Sequence, residues 1–169
     1  MKVFDNHYFD DLISKAQVNP RLRQHGNIHQ SYQDACQRLF NAIEPDSYIR
    51  PHRHTADPRD ELLIAIRGVM ALVTFDDQGT VTGILRFGSE KYAGIVSAGA
   101  EVPASTWHTV IAVEPDCVLL EVKAGPFDPK QPKDLAPWAP EEGSAMAQDY
   151  LRGLAELAGK YTSFEPTGT

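Results

Sequence analysis

Apolar positions along the chain change their period twice. Phe9, Leu12, Ile13 and Ala16 recur three and four residues apart behind the possible caps Asp5 and Asn6, and Asn19-Pro20 stops the pattern. This spacing predicts a short amphipathic helix at the amino end. From Gln37 to Phe75 the period falls to two. Here β-branched and aromatic residues gather in the runs LFNAI, YIRPH and ELLIAIRGVMALVTF, broken by Pro45-Asp46 and Gly68. Asp76 to Gly79 reads as a hairpin turn, and the runs VTGILRF, YAGIVSA, WHTVIAV and CVLLEVK follow it, separated by Gly88, Gly99 and Pro115-Asp116. Strands joined by short polar turns, with no helical pattern between them, predict an antiparallel sandwich or barrel.

Composition shifts at Gly125. Pro126, Pro129, Pro132, Pro137 and Pro140 crowd a segment that can supply few ladder hydrogen bonds, so it reads as an extended connector. Beyond it, Tyr150, Leu151, Leu154, Leu157, Ala158 and Tyr161 share one helical face that Ser144 could cap. The expected organisation is one domain: a barrel with its amino-terminal helix over 1–125, a connector over 126–143, and a packed carboxy-terminal helix with a frayed tail over 144–169. A length of 169 residues suits a single domain with a sizeable core.

Charge narrows the partners. Sixteen Lys and Arg against 23 Asp and Glu give a net charge of −7, which repels phosphate backbones and argues against nucleic acid. The acid-containing amino end lacks a signal-peptide core, and no run of about 18 apolar residues occurs, so a soluble cytoplasmic protein without a membrane partner is expected. Cys36 and Cys117 read as ordinary small apolar residues in a reducing compartment. The apolar run LLIAIRGVMALV suggests a strand buried on both sides, and with it a homodimer.

The chemistry gathers in a few positions. On a strand, residues two apart point the same way, so His52 and His54 can present two imidazoles to one point. Glu61 follows at the head of ELLIAIRG, and His108 arrives at the start of a later strand in PASTWH. Three imidazoles and one carboxylate would then converge inside a barrel. The loop TADPRD between His54 and Glu61 offers Asp57 and Asp60 as rival carboxylates, but Glu61 is preferred because it opens the apolar strand while Asp57 precedes Pro58 in a turn-like context.

HxH, then Glu61, then Gly68, then P-x-S-x-x-H at 103–108 resemble the two cupin motifs. PRLR with NIH (20–29), QRLFNAIEPDSYIRPHRH (37–54), PASTWHTV and EVKAGPFDP (121–129) are further similar to the WbuC family of cupin-fold metalloproteins. The resemblance implies a double-stranded β-helix, a jelly-roll barrel holding one divalent metal, in a family often found with bacterial surface-polysaccharide genes. Two features depart from the motifs: the loop before Glu61 is longer, and Ser105 stands where the second motif usually has Gly, a costly exchange if the backbone there requires a positive φ. Histidine and carboxylate ligands suit Fe, Mn, Zn, Ni or Cu.

Around these ligands, Asn27 and His29 alternate in the family's N-x-H pattern and, with Tyr48 and Lys123, are the candidates for moving a proton. Lys123 reads equally as a structural ion-pair partner of Glu121. Arg38, Arg50 and Trp107 are the candidates for holding a small anionic or sugar-linked substrate, whereas His7 and His25 look incidental. Two functions follow: a metal-dependent enzyme, as an isomerase or epimerase or as an oxygenase, and alternatively a non-catalytic module that binds metal or a small molecule.

Overall fold

The computed structural model describes residues 1–55, 58–130, 133–160 and 165–166. Helix α1 (Asn6–Val18) begins where the Asp5 carboxylate accepts the Tyr8 N–H at 3.0 Å. It ends as Asn19 turns to extended backbone and returns its N–H to Ala16. Among the described residues eleven strands follow: β1 (Arg23–Asn27), β2 (Cys36–Ile43), β3 (His52–Arg53), β4 (Glu61–Arg67), β5 (Val69–Phe75), β6 (Val81–Gly88), β7 (Gly99–Val102), β8 (Trp107–Ala112), β9 (Cys117–Ala124), β10 (Asp134–Leu135) and, after helix α2 (Ala147–Lys160), β11 (Glu165–Pro166).

Among the described residues these strands form two antiparallel sheets, ordered β1-β2-β9-β4-β7 and β10-β3-β8-β5-β6-β11. Two sheets face to face with a helix outside each make the cupin jelly roll that the motifs imply. Phe9, Leu12, Ile13 and Ala16 of α1 pack on Phe40, Ala42 and Val118, closing the outer face of the first sheet. Leu151, Leu154 and Ala158 of α2 do the same for the second, against Ala71, Val73 and Phe75. Between the sheets lies the barrel core, with Ile43, Met70, Leu72, Phe87 and Leu119 among its members. Burying one such side chain contributes about 1.5–3 kcal/mol.

This layering explains β5. Ala71, Val73 and Phe75 pack in the cluster beneath α2 while Met70 and Leu72 join the barrel core, so both faces of this strand are covered within one chain. Gly68, at the β4–β5 corner, has φ +75°, and a Cβ there would meet the Cys117 Sγ at 2.5 Å. Only a residue without a side chain fits.

Four local expectations differ. YAGIVSA is a 3-10 turn over Glu90–Tyr92 and a loop, not a strand; Gly94 takes φ +81°, and the ladder resumes only at Gly99. YIRPH contributes only His52 to β3, because Pro51 supplies no ladder donor. Ser144 does not cap α2 with its side chain, since the helix starts three residues later and the Ser144 Oγ has no hydrogen-bond partner. Leu157 lies on the helix but is 37% exposed. Asp57, Pro132 and Tyr161 lie outside the described residues. No helix among the described residues is long and apolar enough to cross a membrane.

Candidate metal centre

Strand register assembles the site. His52 of β3 lies directly opposite His108 of β8, and Glu61 of β4 lies opposite Lys123 of β9. One ligand atom from each of His52, Glu61 and His108 falls within 4.8 Å of the others. The two imidazole centroids are 4.6 Å apart. His54 stands beside this trio, with its Nε2 3.2 Å from Glu61 Oε1. Glu61 and His108 are almost wholly buried.

Hydrogen bonding at the far side of each ring decides what the near side offers. The His52 Nδ1 contacts the Arg50 carbonyl at 3.1 Å, and the His108 Nδ1 contacts the Thr106 carbonyl at 2.9 Å. A carbonyl only accepts, so each Nδ1 carries a proton and each ring turns its Nε2 inward, where the singly protonated tautomer presents a lone pair. The His108 Nε2 then faces Glu61 Oε2 at 3.1 Å. The His54 Nε2 is buried without a hydrogen-bond partner despite its carboxylate neighbour. Several acceptors gathered on one point, with their second nitrogens fixed by carbonyls, form the donor set and outer support of a divalent metal site. These residues therefore fit a resident metal ion.

Electrostatics point the same way. Burial lowers the pKa of His52, assisted by the charge of Lys133 and by His108 and opposed by Glu61, which keeps the ring neutral. Burial alone would raise the pKa of Glu61, but its contacts with His108 and His54 and the charge of Lys123 hold it well below the usual carboxylate range. Lys123 donates to Glu61 Oε1 at 2.7 Å and to Glu121 Oε1 at 2.8 Å. Burial opposes its charge, but the two carboxylates outweigh burial and raise its pKa. It is an ion-pair residue on both sides. Asp60 does not join the trio: its Oδ1 accepts the Ala104 N–H at 2.8 Å and ties the loop before β4 to the turn before His108. In that turn Ser105 takes φ +63°, so the left-handed conformation is present and serine bears its cost.

The site opens into a cavity of about 640 Å³. Asn27, His29 and Lys123 line it. His29 is buried, its Nδ1 lies 2.8 Å from the Arg38 carbonyl, and its Nε2 has no partner. Four sequence candidates lie elsewhere. Tyr48 donates its hydroxyl to the Pro140 carbonyl within the core beneath α2, where burial raises its pKa. Arg38 is exposed outside the cavity, and the Arg50 guanidinium donates to the Ala136 carbonyl. The Trp107 indole donates to Asp77 at 2.9 Å, with Arg53 over its ring.

Other residues supply the wall instead. Arg21, Arg23, His25, Asn41 and Lys133 line the cavity, so His25 is not incidental to it. Part of this was readable, because Arg23, His25 and Asn27 alternate on β1 and Gln37, Leu39 and Asn41 alternate on β2. Their registers place His25 opposite Asn41 and Asn27 opposite Leu39. Lys133 carries no such signal. It reaches the cavity because β10 pairs with β3, with Leu135 opposite His52.

Comparison with known proteins bears on the fold. A sequence family described as a domain of unknown function, DUF6016, matches residues 4–87, a span that includes His52, His54 and Glu61. No curated protein matches the chain. Among solved structures, protein SO0799 from Shewanella oneidensis is 13% identical with a TM-score of 0.56, over 93% of this chain and 97% of that one. The polyketide cyclase RemF from Streptomyces resistomycificus is 18% identical with a TM-score of 0.51, over 80% and 82%. Rru_A2000 from Rhodospirillum rubrum, described as a cupin-2 domain, is 12% identical with a TM-score of 0.49, over 79% and 80%. The fold is a jelly-roll barrel of the cupin type, and the donor set inside it is a candidate metal site. The likeness to the WbuC family rests on the motifs quoted above.

Proposed function

We propose that this protein is a metal-dependent cupin enzyme that holds one divalent transition ion through His52, His54, Glu61 and His108 and acts on a small polar or sugar-linked substrate. The observation that carries the reading is the convergence of inward imidazole lone pairs on a buried carboxylate, at the base of a cavity large enough for a metabolite. A bound ion would act as a Lewis acid on a substrate oxygen. The chain's own residues do the rest. The Arg50 and Thr106 carbonyls orient His52 and His108, Lys123 bridges Glu61 and Glu121, and His29 presents an unpartnered nitrogen from which a proton can be held or passed. The WbuC likeness supports a place in bacterial surface-polysaccharide metabolism.

A specific observation favours the second reading, a non-catalytic binding module. Lys123 is clamped by two carboxylates and has no idle position from which to transfer a proton. Elemental analysis of the purified protein tests the shared premise. About one transition metal per chain is expected, falling below about a tenth in His52→Ala and His108→Ala and unchanged in His7→Ala. Wild-type protein that carries no metal and takes none up on titration would overturn both readings. A metabolite that perturbs the spectrum of cobalt-substituted protein favours the enzyme, because a closed structural site has no exchangeable position.

A further inference from the structure

The chain is acidic overall, yet the wall of its cavity is not. Arg21, Arg23, Lys123 and Lys133 line it together with only two carboxylates among the described residues, Glu61 and Glu121. Two of these cations are already neutralised. Arg23 bonds Glu142 Oε2 at 2.6 Å and the Tyr48 carbonyl at 2.9 Å, and Lys123 is held by its two glutamates. Lys133 is different: among the described residues its ammonium has neither a hydrogen bond nor an ion pair, and the Arg21 guanidinium at the rim has none either. An ammonium drawn out of water with Glu142 and Glu121 nearby but no carboxylate in contact is costly unless a ligand supplies that contact. The cost registers on Lys133 itself, whose pKa burial lowers to about 8, with Arg23 adding to the effect and Glu142 opposing it.

Two further groups on the same wall await partners. The His29 Nε2 and the Asn41 Oδ1 are buried without hydrogen bonds, on residues 6% and 4% exposed. A buried polar atom is normally satisfied, so an unpaired donor or acceptor lining a cavity marks where a ligand's hydroxyl or carbonyl belongs. The cavity therefore offers a single ammonium for one negative charge, with polar groups beside it for uncharged hydroxyls. Neither helix N-terminus contributes to the lining, and one ammonium with one rim guanidinium suits a monoanion better than a dianionic phosphate.

We propose that the cavity takes a small hydroxylated carboxylic acid, and that Lys133, assisted by Arg21, receives its carboxylate. This deepens the reading of the site as a metal-dependent cupin and rests on it for the position of the ligand's other end. Lys133 is a specificity residue and not a metal ligand. The two roles separate cleanly in experiment.

Calorimetric titration of the purified protein with D-gluconate and with D-gluconamide compares ligands of equal size that differ in one charge. Gluconate is expected to bind at least tenfold more tightly. Lys133→Gln should erase that difference while the metal content measured on the same sample stays unchanged, and Lys133→Arg should restore it. Arg38→Gln, outside the cavity, should leave it intact. Equal affinity for acid and amide, no binding of either, or a Lys133→Gln variant that still prefers the acid would each overturn the proposal. Inorganic phosphate that displaces gluconate at lower concentration than acetate does would overturn the choice of carboxylate. A wild-type protein without metal that still prefers the acid would refute the metal reading alone.

Discussion

The two ends of the barrel interior are built by the same strands and differ in almost everything else. At one end the inward positions of β4, β8 and β9 are Glu61, His108 and Lys123; further along those strands they become Leu63, Val110 and Leu119, members of the dry core around Met70 and Phe87. Alternation places both sets on one face, so a step of two residues on β4 and β8, and of four on β9, crosses from the charged site to apolar packing. The dry end supplies burial energy, and the wet end uses some of it to hold charges out of water. Stability and chemistry are thus divided along each strand and not between separate segments.

That division can be broken most forcefully at the dry end. Phe87 is fully buried among apolar neighbours, so Phe87→Ala should destabilise the fold by about 3–5 kcal/mol in denaturant unfolding. Metal stoichiometry of the fraction that remains folded should not change. Loss of metal in step with packing would mean that the two ends are one cooperative unit.

The wet end should respond to charge instead. Lys123→Met strands Glu61 and Glu121 without their shared cation and should cost about 3 kcal/mol in metal-free protein. Saturating zinc should shrink that loss, since the ion supplies Glu61 with a counter-charge. Thermal melts with and without zinc make the comparison, and an unchanged loss would argue that the ion does not contact Glu61.

A smaller effect tests the turn that delivers His108. Ser105 sits at φ +63°, which costs an L-residue about 1–2 kcal/mol. Glycine removes that cost but loses about 0.5–1 kcal/mol to its freer unfolded chain. Ser105→Gly should therefore stabilise by about 0.5 kcal/mol, a rise of about 1–2 °C in Tm. A fall would show that the Ser105 hydroxyl, 3.4 Å from the His54 carbonyl, contributes more than its backbone costs.

Legibility follows the same physics. Period-two alternation made the strands readable, and it also placed His52, Glu61, His108 and Lys123 near one another, because residues that share a face of adjacent strands meet wherever the register brings them opposite. Helix α1 was readable from its stripe and its Asp5 cap. What could not be read depends on contacts without a period. YAGIVSA has strand composition, but Gly94 turns the chain left-handed within it. Arg50 and Trp107 have the right chemistry beside the ligand strand and face the wrong way, bonded to Ala136 and Asp77. Lys133 sits in a proline-rich stretch whose position is set by a two-residue pairing with β3.

That pairing makes the composition break near Gly125 a poor place to cut. Strand β3 is two residues long, flanked by β8 on one side and β10 on the other, and Thr55 donates to Asp134 alongside. The proline-rich segment is a girder laid across the edge that carries His52. Anyone who trims the chain to a minimal barrel at that boundary, for expression or for grafting onto another scaffold, removes the brace of a ligand strand together with Lys133 from the cavity wall.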